Sequence, residues 1–419
     1  MSGLWVYRTE LRRSPLRWVF PVLAVVALLV LFGRSRYWIG VWPQAGAAAQ
    51  IPAFYLGPAM AGAAAWSAAA RRRSGVPTGF GAARPSWRVE AAPLAAALTY
   101  GLAAYAVGAV TAAAVSVRDG GSGFFWPGYL LLGAVLITGC TALGHLAGRR
   151  ARSLVVVPVA CTLGCLVFLG MFGSVPQGSG SGVGLYVLSG YPSLAVAVRP
   201  LLARAATVLA LAGLAVAAGR QVRTDRSAAR WRGRPFGTVG GVLAVAGAVA
   251  LWVLTGPLLV QRPVPARPLC TTGTPRICVW PENQRYLPEL QAMSERAAAL
   301  PAGRFQVPGE FLEDGLDGRR LGAGNGFYLR EGETWEAATT MGIRTVEDSI
   351  PVPCRRSDLA QWELISWTIA RIAGHGVPAT VHGGPPGVDQ EAIGRLIAEP
   401  EDAQLAWVDQ RLPKGPGCG

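Results

Sequence analysis

Between residues 16 and 260 the chain runs apolar, again and again, for close to the length a helix needs to cross a bilayer. A crossing takes about 20 apolar residues. Seven stretches meet or approach this: 16–32, 51–70, 91–116, 127–148, 154–172, 200–219 and 238–260. The first is short and is led by Arg17 and Trp18, so six is the alternative total. Composition agrees. Only 15% of the 419 residues are charged, against about a quarter in a soluble protein. Aromatic clusters stand where membrane–water boundaries are expected: Trp18, then Tyr37, Trp38 and Trp42, then Phe124, Phe125 and Trp126.

The formal net charge of +15 suggests a nucleic-acid binder until it is divided along the chain. Residues 1–260 hold 23 arginines against four acids, a net of +19. Residues 261–419 hold 16 basic residues against 20 acids, a net of −4. The positive excess therefore lies in the apolar part, where it reads as topology. With the N-terminus in the cytoplasm, 18 arginines fall on the cytoplasmic side and five on the outer side, as the positive-inside rule requires. Seven crossings then place residues 261–419 outside. The expected fold is an α-helical polytopic membrane protein, N-in and C-out, carrying a small, mostly α, α+β extracytoplasmic domain. Its expected location is a bacterial plasma membrane, with the lipid bilayer as a partner and nucleic acid excluded. The residues after Phe32, GRSRYW, offer no small-x-small site, which argues against a cleaved signal peptide.

Catalytic chemistry is hard to find. Lys414 is the only lysine, so no Gly-Lys-Ser/Thr phosphate loop exists and the chain is not itself a P-loop ATPase. No cofactor and no metal site is expected, and the chain is not expected to be an enzyme. No Asp or Glu lies mid-span, which counts against a proton-coupled carrier. His145 and Arg204 lie near span ends, where Arg204 is expected to snorkel to the headgroups. Cys140, Cys161 and Cys165 lie in spans and are expected to pack.

Two connecting segments carry more information. Arg71–Glu90, RRRSGVPTGFGAARPSWRVE, is basic and broken by glycine and proline. It is a candidate docking surface through Arg71, Arg72, Arg73, Arg84, Trp87 and Arg88. Gly184–Val198, GLYVLSGYPSLAVAV, is apolar but interrupted at Ser189, Gly190, Tyr191 and Pro192. Two half-helices meeting there would form a re-entrant hairpin, allowed in a membrane only if packed against protein.

Residues 261–419 suffice for one globular domain. Cys270, Cys278, Cys354 and Cys418 suggest two disulfides, with three pairings open. The Thr-Gly-Thr-Pro turn favours Cys270–Cys278, leaving Cys354–Cys418. Helical spacing is read at 286–297, 358–373, 388–398 and 401–411, and short strands at 277–280, 305–307 and 327–330. The acids Glu310, Glu313, Asp314 and Asp317 read as a solvated loop. His375, His382 and Asp389 recur every seven residues, but intervening prolines and glycines favour surface or capping roles over metal binding.

Taken in order, these segments resemble a known plan. TELRRSPLRW resembles the interfacial helix before the first span in permeases of type-2 ABC exporters. AWSAAARRRSGVPTGFGAARPSWR resembles their cytoplasmic loop after the second span, where a coupling helix touches the ATPase. The broken apolar hairpin resembles their outer re-entrant helices. CTTGTPRICVWPE is similar to the Cys-x(n)-Cys-Val-x-Pro opening of the outer domain in actinobacterial members, which also carry a seventh span. The resemblance implies a membrane subunit of an ABC-type exporter, working as a homodimer or beside a second permease. A separate ATP-binding subunit would supply the energy. The Ala/Val/Leu/Gly span interiors would suit a hydrophobic substrate. The alternative is a membrane-anchored extracytoplasmic ligand-binding or scaffold protein without transport activity. A third reading, a membrane enzyme, requires a metal or nucleophile in the outer domain.

Overall fold

The computed structural model describes residues 3–33, 36, 38–73, 86–118, 123, 125–151, 153–174, 184–224, 247–248, 250–317, 326–329, 334–354, 358–376 and 387–412. The chain falls into two compact units that part at Val260 and Gln261, close to the domain boundary expected from charge.

The first unit is helical: α1 (Gly3–Arg13), α2 (Leu16–Gly33), α3 (Trp42–Gln50), α4 (Pro52–Arg73), α5 (Ser86–Arg118), α6 (Pro127–Arg150), α7 (Val156–Phe172) and α8 (Val198–Thr224). Proline begins several of these helices, Pro43 in α3 and Pro127 in α6. At N1 its fixed φ suits the helix and its missing N–H costs nothing. Four of the described helices are long and apolar enough to cross a membrane: Leu16–Gly33, Ala91–Arg118, Pro127–Arg150 and Val198–Ala217. The chain therefore reads as a multi-pass membrane protein. Of the other expected spans, α7 has 17 apolar residues. α4 has 22, but it is rich in alanine and glycine and ends in three arginines. Of the stretch 238–260, residues 247–248 and 250–260 are described, with helix at 247–248 and 250–254.

Faces sort as they do in lipid. α4 lies inside, with Ala53, Leu56, Met60, Ala61, Ala64 and Ala65 all buried. α7 presents Val156, Val159, Leu163, Val167 and Met171, each at least half exposed. Without a hydrophobic drive between helices, close packing of small residues holds such a bundle together. The tightest approach is between α4 and α6. A Cβ added at Gly144 would lie 2.0 Å from the Ala61 carbonyl oxygen, and one at Gly148 would lie 2.2 Å from that of Ala65. α1 is tied down by its polar edge. Tyr7 Oη and Thr99 Oγ1 are 2.7 Å apart, Tyr100 Oη donates to Leu11 O at 2.8 Å, and Arg71 of α4 pairs with Glu10.

The second unit contains a four-stranded sheet in the order β3–β4–β5–β6. β3 (Leu269–Cys270) runs antiparallel to β4 (Arg276–Val279), while β5 (Glu310–Glu313) and β6 (Gly326–Phe327) run parallel. Parallel pairing requires a crossover, and α9 (Leu287–Ala298) supplies the one between β4 and β5. The unit is thus mixed α/β, where α+β was expected from the scattered short strands. Among the described residues five α-helices complete it: α9, α10 (Trp335–Ser349), α11 (Leu359–Ala373), α12 (Gln390–Ala398) and α13 (Glu401–Arg411). Of these, α13 has the bounds expected from its spacing. α11 is capped as its sequence suggests, Asp358 Oδ1 accepting from Gln361 N at 2.9 Å and Gly374 closing it at φ 79°. Arg296 adds two donors to the last carbonyls of α11, Nε to Ile372 O and Nη2 to Ala373 O.

Two strand expectations are corrected. Residues 305–307 form no strand, because Phe305 turns inward to stack on Trp367 with ring centroids 5.8 Å apart. The strand lies instead at Glu310–Glu313. The expected strand 327–330 is reduced to Gly326–Phe327.

Candidate functional site

The helix-breaking residues before α8 mark the least ordinary backbone in the first unit. Residues 184–193 contain no helix, so the expected pair of half-helices is replaced by an irregular, buried chain leading into β1 (Leu194–Val196). Gly190 explains the difference. Its Cβ position lies 2.1 Å from the Pro43 carbonyl oxygen, so the backbone itself is pressed against the start of α3. Tyr191, Pro192 and Ser193 are buried beside it, and Ser189 is partly so. β1 pairs with β2 (Leu259–Gln261), and Ala197 N donates to Leu258 O at 2.8 Å.

Buried non-helical backbone needs hydrogen-bond partners from protein. Three groups supply them. Gln50, the last residue of α3 and fully buried, works as a piece of strand: its Oε1 accepts from Val187 N at 3.0 Å and its Nε2 donates to Leu185 O at 3.3 Å. The carbonyl of Gly173 accepts from both Leu185 N and Tyr186 N. Arg204 of α8, 1% exposed, donates from Nε to Gly184 O at 3.1 Å and from Nη1 to Pro200 O at 3.2 Å. Its guanidinium also stacks 5.2 Å from the centre of the Trp252 ring, whose Nε1 donates to Thr207 Oγ1. Arg204 therefore does not snorkel to headgroups. It is the inward anchor of this segment. Gln50 had no sequence signal beyond being a lone amide beside apolar stretches.

The Gln50 clamp has a measurable weight. Gln50→Leu strands the Val187 N–H and the Leu185 carbonyl in the interior, and a buried group left unsatisfied costs about 1–3 kcal/mol. Thermal unfolding of the full chain in detergent should show a stability loss of about 2 kcal/mol. Gln50→Asn, too short to reach, should behave alike. An unchanged midpoint would show that the clamp carries no load.

The expected docking residues divide between neighbouring helix ends. Arg71, Arg72 and Arg73 form the last turn of α4, and Trp87 and Arg88 lie in the first turn of α5. Arg84 lies outside the described residues. Arg71 is committed to Glu10 of α1, which links α1 to the end of α4.

In the second unit, Cys270 and Cys278 face each other across β3 and β4 and are disulfide-bonded. Cys354 is also disulfide-bonded, while Cys418 lies outside the described residues. Two acids of the run expected to be a solvated loop, Glu313 and Asp314, belong instead to the core, while Glu310 and Asp317 stay at the surface. Glu313 ends β5 fully inside, with Oε2 accepting from Trp280 N at 2.8 Å and Oε1 from Asn283 Nδ2 at 2.6 Å. Trp280 is fully buried and donates from Nε1 to Asp314 O. Glu310 pairs with Arg276 at the surface. Burial, reinforced by the nearby Glu282 and Asp314 charges and opposed by its two donors, pushes the Glu313 carboxyl up to about 8.

No metal constellation forms among the described residues. His375 stacks on Trp335 at 5.5 Å, and Asp389 caps α12 by accepting from Ala392 N. His382 lies outside the described residues. The free cysteines Cys140, Cys161 and Cys165 pack in one cluster of α4, α6 and α7 side chains. The chain matches no family model, no curated protein and no solved structure.

Proposed function

We propose that the chain is the membrane subunit of an ABC-type exporter, crossing the bilayer seven times with its N-terminus inside and residues 261–419 outside. The observation that carries this reading is the tie between α1 and the first long helices. Glu10–Arg71 fastens an amphipathic basic helix to the last turn of α4, and Tyr7–Thr99 and Tyr100–Leu11 fasten it along α5. Such a fastened basic surface suits the transfer of motion from an ATP-binding subunit to the spans. The clamped segment 184–197 suits a fixed outer wall. The absence of a lysine phosphate loop assigns hydrolysis to that separate partner. A hydrophobic cargo and a dimeric assembly belong to the same proposal.

The full chain purified from native membranes should carry a P-loop ATPase. Reconstituting the two together should raise ATP hydrolysis at least severalfold over the ATPase alone. Changing Arg71, Arg72 and Arg73 together to glutamine should abolish the increase. If no nucleotide-binding protein accompanies the chain and no stimulation appears, the proposal fails and the anchored ligand-binding reading takes its place.

A further inference from the structure

A groove of about 500 Å³ opens between α2, α4 and α7, and its walls are set by Leu16, Val19, Gly62, Trp66, Val155 and Val159. The volume lies within the ~300–1,000 Å³ of ordinary ligand sites. Its lining makes almost no polar demand, since the Thr162 hydroxyl already donates to Pro158 O at 3.1 Å. Gly62 lets α4 approach α7 closely at its base, where a Cβ would meet the Thr162 hydroxyl.

The sequence that flanks Pro15 and Leu16 of the lining is basic. Arg17 adjoins the lining residue Leu16, and Arg13 stands two residues before Pro15, also in the lining. Both arginines are exposed. Arg17 lies 4.6 Å over the ring of Trp18, which is 74% exposed, and Trp66 in the groove wall is 45% exposed. Exposed tryptophans beside arginine mark the headgroup level of a bilayer. Glu10, the acid of α1, is held by Arg71 and does not neutralise these arginines.

We propose that this groove binds one acyl chain of an anionic phospholipid, with its phosphate at Arg13 and Arg17. An apolar slot demands a ligand made of methylene groups, and the basic flank demands a negative head. A span of a second copy is a poorer fit, since residues 1–260 hold only four acids to meet the arginines. The inference rests on the membrane reading of α2 and α7 and is independent of the export proposal.

The test uses the full chain, reconstituted in bilayers of equal phosphatidylglycerol and phosphatidylcholine, extracted in mild detergent and weighed by native mass spectrometry. The wild type should retain phosphatidylglycerol in preference to phosphatidylcholine. Arg13→Gln with Arg17→Gln should reduce the preference roughly fivefold for each charge removed. Val159→Trp fills the slot from a half-exposed position and should release the bound lipid with an unchanged unfolding midpoint. Should it disturb folding, the arginine pair still decides. Equal retention of both lipids by the wild type would overturn the proposal. So would Val159→Trp retaining lipid like the wild type, or altering only the ratio of dimer to monomer.

Discussion

Gly144→Ala should cost the membrane unit about 3 kcal/mol or more, the upper range for forcing atoms into a filled interior. The new methyl would sit 2.0 Å from the Ala61 carbonyl oxygen, 2.6 Å from its carbon and 2.7 Å from its Cα. All three are backbone atoms, so no side chain can turn aside and α4 must move away from α6. The separation then spreads along the crossing, because Gly148 meets Ala65 in the same way one turn later and His145 is buried between them. Gly144→Ala combined with Gly148→Ala should leave no monodisperse protein. Gly164→Ala on α7 is the internal control: nothing lies within 4 Å of its Cβ position. Losing glycine from a helix is worth about 0.5–1 kcal/mol in the stabilising direction. Unfolding midpoints in detergent should therefore fall for Gly144→Ala and hold or rise for Gly164→Ala. Equal behaviour would mean that α4 and α6 are not in backbone contact.

The second unit should lose stability as pH rises from about 4.5 to about 8. Glu313 ordinarily titrates near 4.5 and is raised to about 8 in the folded state by burial. Below 4.5 both states hold the proton and the contribution is complete. Between the two values only the folded state holds it, so each rise in pH favours unfolding. The whole span is worth on the order of 5 kcal/mol. The neutral acid can also be hydrogen-bonded where it stands. Asn283 Oδ1 is buried without a partner while its Nδ2 donates to Glu313. Once Glu313 is protonated, the amide can turn over and accept the carboxyl proton, while Trp280 N keeps its acceptor. Glu313→Gln reproduces this arrangement at every pH. Its unfolding transition should be nearly flat from pH 5 to 8, whereas the wild type should fall. A wild type as flat as the variant would place the Glu313 carboxyl at its ordinary value.

Both cases show what the sequence exposed and what it hid. The membrane character was legible because the apolar runs are long and the arginines sit asymmetrically, both properties of single segments. The Cys270–Cys278 hairpin and the caps of α11 were legible for the same local reason. What depends on two distant segments was not. Gly237 and Gly241 stand at small-xxx-small spacing in the sequence, and they lie outside the described residues. The close crossing uses Gly144 and Gly148 against Ala61 and Ala65, an equally spaced pair hidden among many alanines. Arg204 looked like a snorkelling residue because its position along α8 is near an end. Its burial follows from Gly184 and Trp252, which no periodicity in α8 announces. Glu313 sat in a run of acids that reads as solvated, and only the parallel pairing of β4 with β5 carries it beneath Trp280. The helix α10 escaped because Thr334–Ser349 offers a weak apolar stripe, with Ala337, Ala338, Met341 and Thr345 as its buried face.

The most direct measurement is protease protection of the full chain carrying one epitope at each end. Protease added to intact spheroplasts should digest residues 261–419 and leave the N-terminal epitope whole. In inverted vesicles the pattern should reverse. The proposed seven crossings, with residues 261–419 outside and the N-terminus inside, require that outcome. Both epitopes protected, or both digested, on the same side would contradict the topology and with it the exporter reading.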